Sequence, residues 1–295
     1  MGLLSWIKPK KLDVAWEYTA QGVIWRLVPS TSGVFVGEER NKDTKVVSFF
    51  CIHQETGNIV WEDKYFEERW WMGIETLNND TLFLHEYATP DMPDHKKIYA
   101  VDFSTGHVLW ANHDLKFLFA AGEHVYAARD RFDDRIFYRL DARSGEIIGE
   151  VDPHSINVLR ETDTVLPVRD DVTYPKVFEV LHHHDNTLQR MVDKGIVGAR
   201  QPHLIEYLDI DGAFVLSYYD HIGNTATDQL YRQHIIIMSR QTQSIIFHDI
   251  ANAQTVMPVP DSFFSIKNFL YYIKETRVLR AIDLMASGVV AHGKN

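Results

Sequence analysis

The stretch VDFSTGHVLW at residues 101–110 decides the fold, because IHQETGNIVW at 52–61 and LDARSGEIIG at 140–149 repeat its pattern. Each copy has an apolar residue, a polar residue and a turn that ends in Thr-Gly or Ser-Gly. One polar residue, two apolar residues and a Trp or its replacement follow. Glycine permits the positive φ of a tight turn, and strands alternate apolar and polar side chains. Each copy therefore predicts a β-hairpin.

Weaker copies of this pattern lie at 181–190, 238–247 and 282–291, the second of them with Gln243 where glycine would stand. The second positions of the six copies are on average about 46 residues apart: His53, Asp102, Asp141, His182, Ser239 and Asp283. Blades of β-propellers have four strands and run about 40–50 residues each. The repeat therefore predicts an all-β, six-bladed β-propeller.

Four strand-sized runs fit each unit; in the first they are Val23–Val28, Gly33–Glu38, Lys45–His53 and Asn58–Glu62. The fourth unit is poorer, because Pro167 and Pro175 interrupt it. Helical periodicity nowhere exceeds two turns. We therefore expect a lead segment at residues 1–11 and a single propeller domain at 12–295.

The first strand is expected to close the ring. Residues 14–17, Val-Ala-Trp-Glu, resemble the outer strand at 59–62 but lack three preceding strands. A strand from the N-terminus that completes the last blade removes an open sheet edge. We therefore predict that Asp13–Tyr18 seals the sixth blade; closure by residues 288–291 remains the alternative.

The spacing of Thr-Gly and Trp resembles the quinoprotein-like, or PQQ-repeat, propeller family. That family opens the unit with Asp, turns at Thr-Gly and docks the Trp between neighbouring blades. Asp102, Thr105-Gly106 and Trp110 match this pattern fully. The copy at 52–61 matches except that His53 replaces the Asp. The copy at 140–149 matches at Asp141 and Ser144-Gly145, but Gly149 replaces the Trp. Residues 24–30, IWRLVPS, also resemble a bacterial propeller family without an assigned function.

No cofactor is expected from this resemblance. The alcohol-oxidising quinoproteins stack the quinone on a disulfide between adjacent cysteines, whereas this chain has a single cysteine, Cys51. The apolar residues around Cys51 indicate a core position rather than a catalytic thiolate. The single cysteine also gives no sign of an oxidising compartment, so a cytoplasmic location is expected.

Composition argues against other classes of protein. The 295 residues are 45% hydrophobic and 12% aromatic, enough for a buried core. A net charge of −11 and scattered Lys and Arg argue against a nucleic-acid partner. No run approaches the ~20 apolar residues of a membrane span. Peripheral contact with the inner face of a membrane stays open, through Leu3, Leu4, Trp6 and Ile7 beside three lysines.

Histidine clusters are the first metal candidates. His182 and His184 would share one face of a strand, but Asp185-Asn186 indicates a turn there, so we expect no metal. His203 and Glu206 are three residues apart and face opposite sides of a regular strand, so they do not form a ligand pair without a bulge.

Propellers commonly bind ligands where the innermost strands begin, at the mouth of the central channel. With the strands assigned in this way, the candidate binding residues are Arg26, Arg69, Trp70, Trp71, Arg160, His203 and Glu206. Trp and Arg are frequent in binding hot spots. The alternative is that these tryptophans pack between blades and these arginines pair with surplus acids.

Three functions are compatible with this sequence. The first is a non-enzymatic scaffold or binding module that engages another protein through one ring face, since no catalytic motif is present. The second is an enzyme acting on a small molecule at the channel mouth, which requires acids, His or Arg to converge across blades. The third is a membrane-associated accessory subunit.

Overall fold

A computed structural model describes residues 11–89, 92–163, 171–177, 205–210, 212–223, 229–257, 259 and 262–287. The first strands are β1 (Trp16–Thr19), β2 (Val23–Pro29), β3 (Val34–Asn41), β4 (Val46–His53), β5 (Ile59–Lys64), β6 (Met72–Asn78), β7 (Thr81–Thr89) and β8 (Met92–Asp102). They are followed by β9 (Val108–Asn112), β10 (Lys116–Ala121), β11 (His124–Asp130), β12 (Arg135–Asp141), β13 (Ile147–Val151) and the helix α1 (Ile156–Asp163).

The remaining strands are β14 (Val172–Thr173), β15 (Lys176–Val177), β16 (Glu206–Ile210), β17 (Ala213–His221), β18 (Tyr231–Ser239), β19 (Ile245–Thr255), β20 (Phe263–Ile266), β21 (Phe269–Lys274) and β22 (Val278–Asp283), with a 3-10 turn at Leu284–Ser287. The chain forms two compact units, residues 20–169 and residues 1–19 with 170–295. Within the described ranges, no helix has the length and apolarity needed to cross a membrane.

Unit 20–169 contains three antiparallel four-stranded meanders: β2-β3-β4-β5, β6-β7-β8-β9 and β10-β11-β12-β13. A single parallel bridge between Lys97 and Lys116 joins the second meander to the third. Apolar side chains of successive meanders pack together in two buried layers. The predicted four-stranded units are therefore confirmed over this part of the chain, and each has the form of a propeller blade.

The predicted docking of Trp on a neighbouring turn is also confirmed. The indole of Trp61 covers Gly106, and its Nε1 donates to the Phe103 carbonyl at 2.6 Å. The indole of Trp110 covers Gly145, and its Nε1 donates to the Ala142 carbonyl at 3.0 Å. Each tryptophan therefore joins the end of one meander to the turn of the next.

The other unit contains two more meanders, β16-β17-β18-β19 with β15 at one edge, and β20-β21-β22 with β14 at one edge. The N-terminal strand β1 forms the outer strand of the second, where Trp16 pairs with Ala281 and Tyr18 with Leu279. The predicted pairing of the first strand with the last sheet is confirmed. The alternative seal, residues 288–291, lies outside the described residues.

The sequence predicts no helix longer than two turns, but the helix α1 is slightly longer, with eight residues. Ile156 and Leu159 lie one turn apart on the same face of α1, and both pack against the buried rings of Phe119 and Tyr126. Tertiary contact with these rings stabilises a helix too short to be stable alone.

Charged side chains fasten β1 to its sheet. Arg280 pairs with Glu17 at 2.8 Å and with Asp249 at 2.7 Å, while Lys274 also pairs with Asp249 at 2.7 Å. Burial by itself raises the pKa of the Asp249 carboxyl, but hydrogen bonds from Lys274 and Tyr272 and the charge of Arg280 outweigh it. The pKa of Asp249 therefore lies below its ordinary value.

We expect Asp249→Asn to lower the free energy of unfolding by about 2 kcal/mol at pH 7, because it removes the carboxylate that pairs with Lys274 and one of the two that pair with Arg280. The wild-type advantage is fully present above the ordinary Asp pKa of about 4 and is lost as pH falls below it, since the folded pKa is depressed. Urea unfolding of both proteins between pH 7 and 3 measures this. A constant difference over that range would contradict the proposed ion pairing.

Candidate functional site

Four of the predicted binding residues lie close together in unit 20–169. Arg26 lies on β2 and donates to the carbonyl oxygens of Ile74 and Glu75 on β6. Arg69, Trp70 and Trp71 form the loop that leads into β6. The amides of both tryptophans donate to Glu68 Oε1, at 2.9 and 3.0 Å, so the loop is held in one conformation.

The tryptophan patch, which we define as Trp25, Trp70 and Trp71, is organised by a buried arginine. The Arg40 guanidinium lies 5.5 Å from the ring centre of Trp25 and 5.4 Å from that of Trp70. Glu38 pairs with Arg40 at 2.6 Å. Trp25 is 59% exposed, whereas the other two indoles are half-buried. Cation–π contacts therefore hold an exposed aromatic ring in place at low entropic cost.

Three exposed cations adjoin the tryptophan patch: Lys45 contacts it directly, and Arg26 and Arg69 are next in sequence to Trp25 and Trp70. Lys45 Nζ lies 4.9 Å from the ring centre of Trp70, and the Arg69 guanidinium lies 5.3 Å from that of Tyr65. Arg26 contacts backbone carbonyls. In the described part of the chain, no carboxylate forms an ion pair with Arg26, Lys45 or Arg69. These charges are therefore available to a ligand, although the chain as a whole is acidic.

The remaining predicted residues do not join this group. Arg160 was expected near the start of an innermost strand, and this is wrong: it lies on α1, where it donates to the Leu118 carbonyl and covers the Phe119 ring. Glu206 begins β16 in the other unit. His203, the run 182–184 and the N-terminal Leu3, Leu4, Trp6 and Ile7 lie outside the described residues.

Cys51 lies in the core, as predicted. Its side chain is fully buried among apolar residues of the first two meanders. Burial raises the pKa of the Cys51 thiol to about 12, so it is a neutral thiol at pH 7. It has no role in a reactive site.

A second cluster, Glu75, His85 and His95, was not foreseen from the sequence. The Nδ1 atoms of His85 and His95 lie 3.1 and 2.7 Å from Glu75 Oε1. The two imidazoles stack with ring centres 3.5 Å apart, and Tyr87 meets both edge-on. Burial by itself raises the pKa of the Glu75 carboxyl, but the two imidazoles outweigh it and hold that pKa below its ordinary value.

Sequence reasoning missed this cluster because it began the third strand of the unit at Lys97. In the structure β8 begins at Met92, so His95 lies on the same sheet as Glu75 and His85. The equal spacing of ten residues between the three side chains was the available signal. Bulges in β6 and β8 put this convergence beyond what a regular alternation of side chains between the two faces of a sheet predicts.

The comparisons with known proteins give no activity. A family described as a domain of unknown function, DUF4905, matches residues 28–110, which include the Glu75 cluster and most of the tryptophan patch. No curated protein matches the sequence.

Among solved structures, the chain is similar to a europium-containing methanol dehydrogenase, with 9% identity, a TM-score of 0.32 and coverage of 90% of this chain and 52% of that one. The β-propeller domain of the Trilobed protease from Pyrococcus furiosus gives 9% identity, a TM-score of 0.30 and coverage of 86% and 64%. The WD40 domain of SCAP from fission yeast gives 7% identity, a TM-score of 0.25 and coverage of 90% of this chain and 62% of that one. This chain thus spans about half to two thirds of the length of these structures, and the fold assignment rests on the strand pairing alone.

Proposed function

We propose that the chain is a non-enzymatic binding module that engages another protein through the tryptophan patch. The observation that carries this proposal is the placement of Arg40 between Trp25 and Trp70, which leaves a rigid indole 59% exposed. Interfaces obtain most of their binding energy from such Trp and Arg side chains.

The partner in this proposal presents an acidic segment. Arg26, Lys45 and Arg69 adjoin the patch, and none of them pairs with a carboxylate in the described part of the chain. Acidic side chains of a partner would complement these charges, while its apolar side chains would cover Trp25. The rest of this chain repels acids, with 41 Asp and Glu against 30 Lys and Arg, which would restrict such a partner to this surface.

The scaffold of this binding module is a ring of six four-stranded sheets, closed by β1. The proposal is supported by five meanders with propeller-blade topology and by the pairing of β1 with the last sheet. Closure through a strand from the other end of the chain would give the binding surface a rigid support without a free sheet edge.

The test compares Trp25→Ser with Phe132→Ser. Phe132 is also a fully exposed aromatic residue, but it lies at the β11–β12 turn, away from the patch. Crosslinked partners of each variant are identified by mass spectrometry, and a synthetic peptide copied from the acidic segment of the captured protein is titrated by fluorescence anisotropy.

We expect Trp25→Ser to weaken peptide binding at least about 30-fold, because loss of a hot-spot Trp costs about 2 kcal/mol or more. Phe132→Ser leaves binding unchanged. Equal binding by the two variants, or recovery of the chain alone at every salt concentration, would overturn the proposal.

A further inference from the structure

We propose that Glu75, His85 and His95 form a binding site for one divalent transition-metal ion of the zinc class. The three side chains come from neighbouring strands β6, β7 and β8, and one ligand atom from each lies within 4.8 Å of the other two. This inference does not depend on the protein-binding role of the tryptophan patch.

The ligand atoms lie close enough together to bind such an ion after a small movement. Zinc is bound about 2.0–2.2 Å from imidazole nitrogen and carboxylate oxygen, so the ligand atoms of a tetrahedral site lie roughly 3.3–3.6 Å apart. The two Nδ1 atoms lie 3.1 and 2.7 Å from Glu75 Oε1, so binding would widen both separations by less than about 1 Å. The two imidazole planes are only 7° from parallel, so a single ion in both planes requires rotation about the Cβ–Cγ bonds. Binding also displaces the hydrogen bond between His95 Nδ1 and Glu75 Oε1.

Strand bulges turn the three side chains toward one another. Glu75 is the extra residue between the pairs Ile74–Leu84 and Thr76–Phe83. On β8 the register shifts on both sides of His95, and Lys97 has a positive φ of 58°. Bulges of this kind re-aim side chains and are frequent beside functional sites.

The His85 imidazole gives an independent indication of a ligand. Its side chain is 3% exposed, yet neither ring nitrogen makes a hydrogen bond with any described residue. Its Nδ1 lies 3.1 Å from Glu75 Oε1, but out of line for a hydrogen bond. Buried polar atoms without partners are costly and uncommon in native proteins. A metal ion on Nδ1 would remove half of that cost.

The other nitrogen of His85 faces a space kept open by Gly73. A Cβ atom on Gly73 would lie 3.2 Å from His85 Nε2 and 3.4 Å from Glu38 Oε2, so both atoms border the same space. In the metal-bound form, Nε2–H would donate to the Glu38 carboxylate across this space. Histidine ligands of metals commonly donate their second N–H to a carboxylate in this way.

The charge and composition of the cluster select the ion. No Lys or Arg in the described ranges pairs with the Glu75 carboxylate, so its negative charge is met only by the two imidazoles. Two nitrogens and one carboxylate suit Zn²⁺, Co²⁺, Ni²⁺ and Cu²⁺ better than Mg²⁺ or Ca²⁺. Three protein ligands leave a fourth position open, and the His95 side chain is 31% exposed, so this position is reachable from solvent.

The test is a titration with Co²⁺ alone, followed by equilibrium dialysis and by visible absorption of the bound ion. All proteins carry His182→Ala, His183→Ala and His184→Ala, so that this histidine run cannot contribute to the measured binding. His95→Gln and Glu75→Gln remove one ligand each. His107→Gln is the matched control, because His107 is an exposed histidine at the β8–β9 turn of the same sheet.

We expect one tightly bound Co²⁺ per chain in the parent and the His107→Gln variant. Affinity falls at least about 100-fold in His95→Gln and Glu75→Gln, since removing a ligand exceeds the 10–100-fold effect of outer contacts. Unfolding without metal at similar temperatures in all four proteins shows that folding is intact. Absence of Co²⁺ binding in the parent, or equal binding in the parent and His95→Gln, would overturn the assignment.

Discussion

Gly37→Ala is expected to lower the free energy of unfolding by about 3 kcal/mol. Gly37 lies on β3 directly opposite Phe50 on β4, and the Phe50 ring covers it. A Cβ on Gly37 would lie 1.9 Å from Phe50 Cζ and 2.2 and 2.5 Å from two other ring atoms. Phe50 is 1% exposed, so its ring has no open space to move into.

Urea unfolding measures this effect, with Gly149→Ala as the matched control. Gly149 also lies in a strand, β13, but nothing lies within 4 Å of the position of its Cβ. There the same change is expected to be neutral or to stabilise by up to about 1 kcal/mol, because Ala is favoured over Gly in strands. Equal free energies of unfolding for the two variants would show that the Phe50 ring does not lie over Gly37.

A second large effect is expected at Gly145, where Gly145→Ala costs about 3 kcal/mol. Two terms add. The residue has a φ of +73°, which costs an L-residue about 1–2 kcal/mol. In addition, a Cβ would lie 2.5 Å from Trp110 Cδ2, which displaces the indole from its hydrogen bond to the Ala142 carbonyl.

Gly122→Ala separates the backbone cost from the cost of the clash with Trp110. Gly122 has a φ of +56°, but nothing lies within 4 Å of its Cβ position, so only the backbone term of about 1–2 kcal/mol applies. In a Trp110→Ala background, the cost of Gly145→Ala is expected to fall to that of Gly122→Ala. An unchanged cost in that background would refute the docking of Trp110 on this turn.

Hairpin geometry could be predicted from the sequence because its causes are local. Gly57, Gly106 and Gly145 all have positive φ, as the Thr-Gly and Ser-Gly pattern predicts. Gln243 adopts the same conformation without being glycine, with a φ of 51°. Turn residues and the alternation of side chains along the strands determine each meander. The repeat of about 46 residues therefore located the five meanders that the structure describes.

Unlike the hairpins, the meeting of distant side chains in a site could not be predicted from the sequence, because it depends on strand register and on packing. Arg26, Trp70 and Trp71 were predicted as binding residues, but the Arg40 guanidinium that orders the patch was not. Arg160 was predicted near the start of an innermost strand from the division of the chain into strand-sized runs, but it lies on α1. Residues far apart in sequence stabilise both features, and a local pattern carries no information about them.

The sequence by itself determined the repeated four-stranded sheets, because turn glycines and strand alternation are properties of the chain. It also favoured pairing of the first strand with the last sheet, from the incomplete first unit, but left closure by residues 288–291 open. Only the tertiary structure decided that Glu75, His85 and His95 meet. A bulge shifts a side chain to the other face of a sheet, and the bulges in β6 and β8 are set by the pairing of whole strands, which the alternation of residues along one strand does not reveal.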